Sequence, residues 1–269
     1  MRWINRRPGR LGGVALAAVP FALVLIAYVI GSEIRRADNP ADKLLPAPAQ
    51  IMATAERLVS EPDRRSGQVL LWVDTGASLR RLALGVGISA ALALMLGLTT
   101  GLLPGAGTGL SPFVAAISLV PPLAILPILF IVFGLGELSK VALIVIGIAP
   151  IMIRDIAQRV AEIPREMIVK AETLGASTWA ILTRLALPQA MPRLIQAVRL
   201  GLGPAWLFLI AAEAIASTEG LGYRIFLVRR YLAMDVIITY VLWITLLAFL
   251  IDLALRLLAR RLYPWAPAQ

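Results

Sequence analysis

The residues that ordinarily do bond chemistry are missing from this chain: among its 269 residues there is no cysteine and no histidine. Thiolate nucleophiles, imidazole bases, disulfides and His/Cys metal sites are therefore excluded. A hydrolytic or redox enzyme would have to work with carboxylates, serines and lysines, and no pair of carboxylates clusters on one helix face. No Gly-Lys-Ser/Thr follows a glycine run, so ATP is not held by a phosphate-binding loop of that type. Ionisable groups inside apolar runs are few. Glu213 is the one clearly within a span, where an acid normally faces a wet cavity or a partner such as Arg224. Asp252 and Arg256 sit four apart in the favourable acid-first order.

What remains is a mechanical element. The stretch 163–199, IPREMIVKAETLGASTWAILTRLALPQAMPRLIQAVR, is too polar to cross a bilayer and lies between two apolar runs. Pro164 can open a first helix whose apolar positions Met167, Ile168, Ala171 and Leu174 recur at helical spacing. Gly175 can take the left-handed conformation that reverses the chain. Ser177 or Thr178 can cap a second helix running to Leu187, which Pro188 is expected to end. A short helix-turn-helix between two spans is a docking surface, too small to be a domain.

Those same residues carry a family resemblance. Gly175, then nine residues, then Leu185-Ala186-Leu187-Pro188, with Pro192 four further on, resembles the "EAA" loop of permease subunits of ABC importers. The wider LGAS…LALPQAMP with AAEAIASTEGLGY is similar to the branch importing nitrate, sulfonates, taurine and related solutes. The resemblance covers the chain from about Leu44 onward. The family's Glu-Ala-Ala register falls on Val169, Lys170 and Ala171, so the leading glutamate is absent and Glu172 stands just beyond it. The resemblance implies an all-α integral membrane protein with about six transmembrane helices and the type I ABC importer permease fold. It implies ATPase coupling through Ala171, Glu172, Gly175, Ala176, Leu185, Leu187 and Pro188, with the two leucines in an ATPase groove. It also implies ATP and Mg on separate ATPase subunits and no cofactor here, a periplasmic solute-binding protein, and a permease homodimer. Less closely, the chain resembles permeases accompanying carboxylases of urea or guanidine. Glu213 and Glu219 on an outer path would suit a guanidinium by sign, although Arg224, Arg229 and Arg230 lie nearby.

The elements that must position this loop follow from composition. The chain is 59% hydrophobic and 16% charged, against about 45–50% and about 25% in soluble domains. The net charge of +10 is spread over the flanks of apolar runs. That is a topology signal rather than a nucleic-acid surface. Residues 1–31 are expected to hold an uncleaved first span, 11–31, with Arg2, Arg6, Arg7 and Arg10 in the cytoplasm. Residues 32–81 carry eight Lys/Arg and seven Asp/Glu and form an outer loop. In it Ile51, Ala55, Leu58 and Val59 mark an amphipathic helix lying at the interface or receiving a binding protein, and 70–81 lead into the second span.

Residues 82–269 form the permease core. No charge occurs from 82 to 136, and LPGAGTG divides that run into span two (82–103) and span three (110–133). Gly97 and Gly101 make a close-packing pair. Pro121, Pro122 and Pro127 bend span three, with Ser118 placed to satisfy freed carbonyls. These four, with Trp206 and Glu213 of span five, are the candidate pathway residues. Span four covers 138–160 and carries Arg154, Asp155 and Arg159 into the cytoplasm. Span five covers 194–217, with Arg199 snorkelling to the inner surface. An outer surface or re-entrant segment covers 218–235, and span six covers 234–258. Arg260 and Arg261 anchor the cytoplasmic C-terminus. The chain is thus expected to be a multi-pass protein of the bacterial inner membrane with both termini in the cytoplasm. The rival readings are a stand-alone secondary transporter or channel, which would want more intramembrane charge and an inverted repeat, and a lipid-modifying enzyme.

Overall fold

The computed structural model describes residues 9–39, 42–64 and 66–266. Arg2, Arg6 and Arg7 lie outside the described residues, as does the side chain of Arg10. Among the described residues eleven α-helices follow one another: α1 Arg10–Asp38, α2 Pro48–Ser60, α3 Leu70–Leu102, α4 Pro104–Ile117, α5 Leu126–Phe133, α6 Glu137–Ala161, α7 Arg165–Thr173, α8 Thr178–Ile181, α9 Leu187–Ala216, α10 Leu221–Val228 and α11 Met234–Leu262. Five stretches are long and apolar enough to cross a bilayer, and the bent pair α4–α5 makes a sixth.

The core is α3, α6 and α9. Helices in lipid gain little from apolar burial against one another, so close backbone approach and polar contacts decide the packing. On α3 small residues recur every fourth position: Gly85, Ser89, Ala93, Gly97 and Gly101. A Cβ at Gly97 would stand 2.8 Å from Ile156, and one at Gly101 2.7 Å from the Ala157 carbonyl. The expected glycine pair is therefore part of a longer seam against α6, the most extensive helix contact in the molecule. Ser89 fits this seam because its hydroxyl donates back to the Gly85 carbonyl at 2.7 Å. On the other face of α6, Gly147 leaves room for the Phe208 ring of α9.

Three expected boundaries move. Residues 70–81 are the first three turns of α3 itself. Their charges do not cost the helix its place because Asp74 and Arg81 find partners inside the bundle. Span three is broken rather than bent. PGAGTG is the start of α4, residues 118–121 interrupt the helix, Pro122–Ile125 is a 3-10 turn, and α5 leaves at 78° to α4. Pro121 and Pro122 remove two consecutive donors, which no single kink can absorb. Finally, Pro188 does not end a helix. A π-turn over Leu182–Ala186 carries α8 straight into α9. In it the Leu187 amide donates to Leu182, one residue further back than in an α-helix. This widened turn lets the chain pass a residue with no N–H.

Helix α2 packs its Ile51, Thr54, Ala55 and Leu58 face inward, while Val59 remains 43% exposed. The Thr54 hydroxyl donates to Asp235 at the start of α11, 2.7 Å away. Helix α1 stands apart. Its most apolar window buries nothing, and it is tied by Tyr28 donating to the Pro46 carbonyl and Ser32 to Leu45.

Candidate functional site

At one end of the bundle a polar hairpin projects between α6 and α9. Helix α7 begins behind Pro164 and ends in a two-bond reversal. The Ala176 amide donates to the Ala171 carbonyl at 3.0 Å and the Gly175 amide to Glu172 at 2.9 Å. This is the Schellman arrangement, and it places Gly175 at φ +80°. Open space surrounds the position where a Gly175 Cβ would lie, so the need for glycine is purely conformational. Ala171, Glu172 and Ala176 thus serve the turn through their backbone. Ser177, not Thr178, caps α8: its Oγ accepts from the Ala180 amide at 3.2 Å.

Leu185 and Leu187 are half-buried and pack in part on the protein's own core. Leu174 and Trp179 flank the reversal at 79% and 73% exposure. Met167 and Val169 of α7 are also exposed. Sequence reading passed over Trp179; a tryptophan in the first turn of a serine-capped helix, directly after the glycine reversal, was the available signal.

At the opposite end of the bundle lies a buried charge cluster. Arg81, 2% exposed, donates to Glu137 through Nε at 2.6 Å and Nη2 at 2.8 Å. Its Nη1 donates to Glu213 at 2.7 Å and to the Glu219 carbonyl at 3.0 Å. Glu213, wholly buried, also accepts from the Ser78 hydroxyl at 2.8 Å and the Gly222 amide at 2.9 Å. Beside it Asp74 accepts from Arg224, the Gly220 amide and the Tyr240 hydroxyl. For Arg224, outside the spans, burial opposes the cation. The Asp74 hydrogen bond and the Asp74 charge together outweigh that and raise its pKa above the ordinary arginine value.

Gly220 sits at φ +121°, and a Cβ there would lie 2.5 Å from the Glu213 carboxylate. The segment GLGY is therefore the inner wall of this cluster. Glu213 is held in packed protein by Arg81, and Arg224 belongs to Asp74 instead. The cluster had a sequence signal: Asp74, Ser78 and Arg81 fall at i, i+4 and i+7, one polar stripe on an apolar helix.

The remaining candidate residues divide. Ser118 and Pro122 line a groove of about 400 Å³ with Ile117, Gly147, Pro204 and Phe208. Pro121 is exposed beside it and Pro127 opens α5. Trp206 is 5% exposed in the core, away from this groove's lining. Arg154 does not simply extend into solvent at the span's end: its Nη1 donates to the Ser118 hydroxyl at 2.9 Å. Arg199 is likewise held by Asp252 at 2.7 Å, and Asp252 also takes Arg256 at 2.9 Å.

The family model for the "binding-protein-dependent transport system inner membrane component" matches residues 84–264. The chain belongs to that family. It is 37% identical over 223 residues to the taurine transport system permease protein TauC of Escherichia coli (strain K12), covering 82% of this chain and 80% of that one. It is 29% identical over 265 residues to the putative aliphatic sulfonates transport permease protein SsuC of Bacillus subtilis (strain 168), covering 97% and 92%. In fold it is similar to a chain of the MetNI methionine ABC transporter in an inward-facing conformation, with a TM-score of 0.63 at 21% identity over 71% of this chain and 95% of that one. This family member is an ABC importer permease with the expected all-helical membrane fold.

Proposed function

We propose that this permease moves a small organic sulfonate, of which taurine is a zwitterionic example, across the bacterial inner membrane. Two separate ATPase subunits drive it and a binding protein supplies it. One observation carries the coupling half of this reading. The α7–α8 hairpin is rigidly capped at both sides of Gly175, yet presents Leu174 and Trp179 to solvent. Exposed large apolar side chains on a fixed turn are what a partner groove buries as anchors. Movement of the ATPases on nucleotide binding would reach the core through α6 and the unbroken α8–α9 rod. The sulfonate half is supported by the similarity to TauC and SsuC. The case for a guanidinium weakens here, because the Glu213 charge is answered by Arg81.

Two copies of the permease would share the pathway, with the hairpin end and both termini in the cytoplasm. Trp265, close after α11, lines a polar cleft with Asp155, Arg159 and Arg193 at the hairpin end. The test is co-purification of the tagged chain with the ATPase encoded alongside it. Leu174→Glu with Trp179→Glu should release the ATPase and abolish ATP-driven sulfonate uptake in proteoliposomes. Uptake by the permease alone, without any ATPase, would establish the secondary-transporter reading instead.

A further inference from the structure

We propose that Arg154 and Ser118 form an anion-contact point on the solute's route, with the groove beside them receiving the apolar part of an organosulfonate. This rests on the sulfonate reading above. Three observations carry it. The first is charge. Among the described residues of α6, Lys140 and Arg159 are paired with Glu137 and Glu162, and Arg154 has no carboxylate partner. On the neighbouring helices Arg81, Arg193, Arg199 and Arg256 are paired with acids. Among the described residues the exposed Arg80, Arg260 and Arg261 have no acid partner and, unlike Arg154, no side-chain hydrogen bond across to α4. An unanswered guanidinium in a membrane-spanning helix marks a place where an anion passes or rests.

The second observation is direction. Arg154 lies 17 residues after Glu137, about 25 Å along a helix rising ~1.5 Å per residue. From there a lipid-facing arginine would snorkel toward the helix end. This one reaches sideways to the Ser118 hydroxyl, across the point where α4 breaks off. Ser118 already donates to the Ala115 carbonyl at 2.7 Å, so its oxygen accepts from Arg154. That leaves the other guanidinium N–H groups free to meet an oxyanion in a fork.

The third is shape. The groove that Ser118 lines is walled by Ile117, Pro122, Gly147, Pro204 and Phe208, with a volume of about 400 Å³. A charged rim over an apolar trough fits a solute with a sulfonate head and a short carbon chain. The structural cause is the Pro121-Pro122 break, which turns the chain away and leaves the trough uncovered.

The natural absence of cysteine makes the test direct. Val120→Cys, at the trough, is placed in the full chain with its ATPase in nanodiscs. It is labelled with sulfonatoethyl or trimethylammonioethyl methanethiosulfonate. The anionic reagent should react faster, and ethanesulfonate should protect the thiol. Adding Arg154→Gln should cut the anion's advantage on the order of tenfold, with Arg154→Lys between, since one ammonium replaces a fork. Sulfonate uptake by the complete complex should fall on the same order in Arg154→Gln. An anion preference that survives Arg154→Gln overturns the proposal. So does slowing of the label by anionic lipid but not by ethanesulfonate, which would place a headgroup phosphate at Arg154. Normal labelling results with undiminished uptake would remove Arg154 from the route while leaving the importer reading intact. A wild-type complex that imports no sulfonate would overturn both.

Discussion

Inside the Arg81 cluster each charge is matched by geometry rather than by number alone. Arg81 spends its donors on Glu137, Glu213 and the Glu219 carbonyl, so removing Glu213 strands part of a buried guanidinium. Breaking one side of a buried ion pair costs about 3–5 kcal/mol, whereas replacing both sides by apolar groups can be neutral. Glu213→Leu should therefore lower thermal stability in detergent sharply, and Glu213→Leu with Arg81→Met should recover most of the loss. If the double variant is as unstable as the single one, the pair is not the unit described. Gly220→Ala should be as damaging as Glu213→Leu, since its Cβ would enter the space of the Glu213 carboxylate. Gel-filtration yield and melting point would show this. At this scale the sequence exposed Glu213 as an acid out of place but hid its partner. Arg81 stands next to Arg80 and looks like the basic edge of a span, and only the Asp74–Ser78–Arg81 stripe betrays that the helix continues past it.

Elements were legible where one period ruled and hidden where two rules competed. The reversal at Gly175 and a hydroxyl cap at Ser177 or Thr178 follow from local chemistry alone, and the structure has the reversal and takes Ser177 as the cap. The end expected at Pro188 does not, because a π-turn is a cheaper answer than stopping a helix that must continue into the core. The prolines of span three were correctly singled out, but two in succession break a helix where one would bend it. The turn itself gives a graded prediction. Gly175→Ala must hold a Cβ at φ +80°, which costs about 1–2 kcal/mol. Gly175→Asn should cost less, because asparagine visits that region. With no neighbour to clash, the order Gly, Asn, Ala, Val should hold for retention of the ATPase, while the melting point of the bundle shifts little. Equal retention across the series would show that the reversal is not what the partner reads.

For the whole molecule, two ends of one bundle are built for different purposes. The Arg81 end welds α3, α6, α9, α10 and α11 together through buried charges. The hairpin end offers a rigid, half-apolar surface backed by α9. Between them the α4–α5 break leaves a groove beside α6 and α9. Helix α1, with almost all its apolar surface exposed, contributes nothing to this frame, so deleting it should leave the melting point of the remaining bundle within a few degrees. The proposed seat of the ATPase is the Gly175 hairpin, and a cysteine-free chain allows this to be tested at a single residue. Glu172→Cys, exposed on α7, should cross-link to the ATPase in the purified complex with a yield that changes when ATP is bound. Ser60→Cys, exposed at the opposite end, should not cross-link. Cross-linking from Ser60 and none from Glu172 would contradict the account.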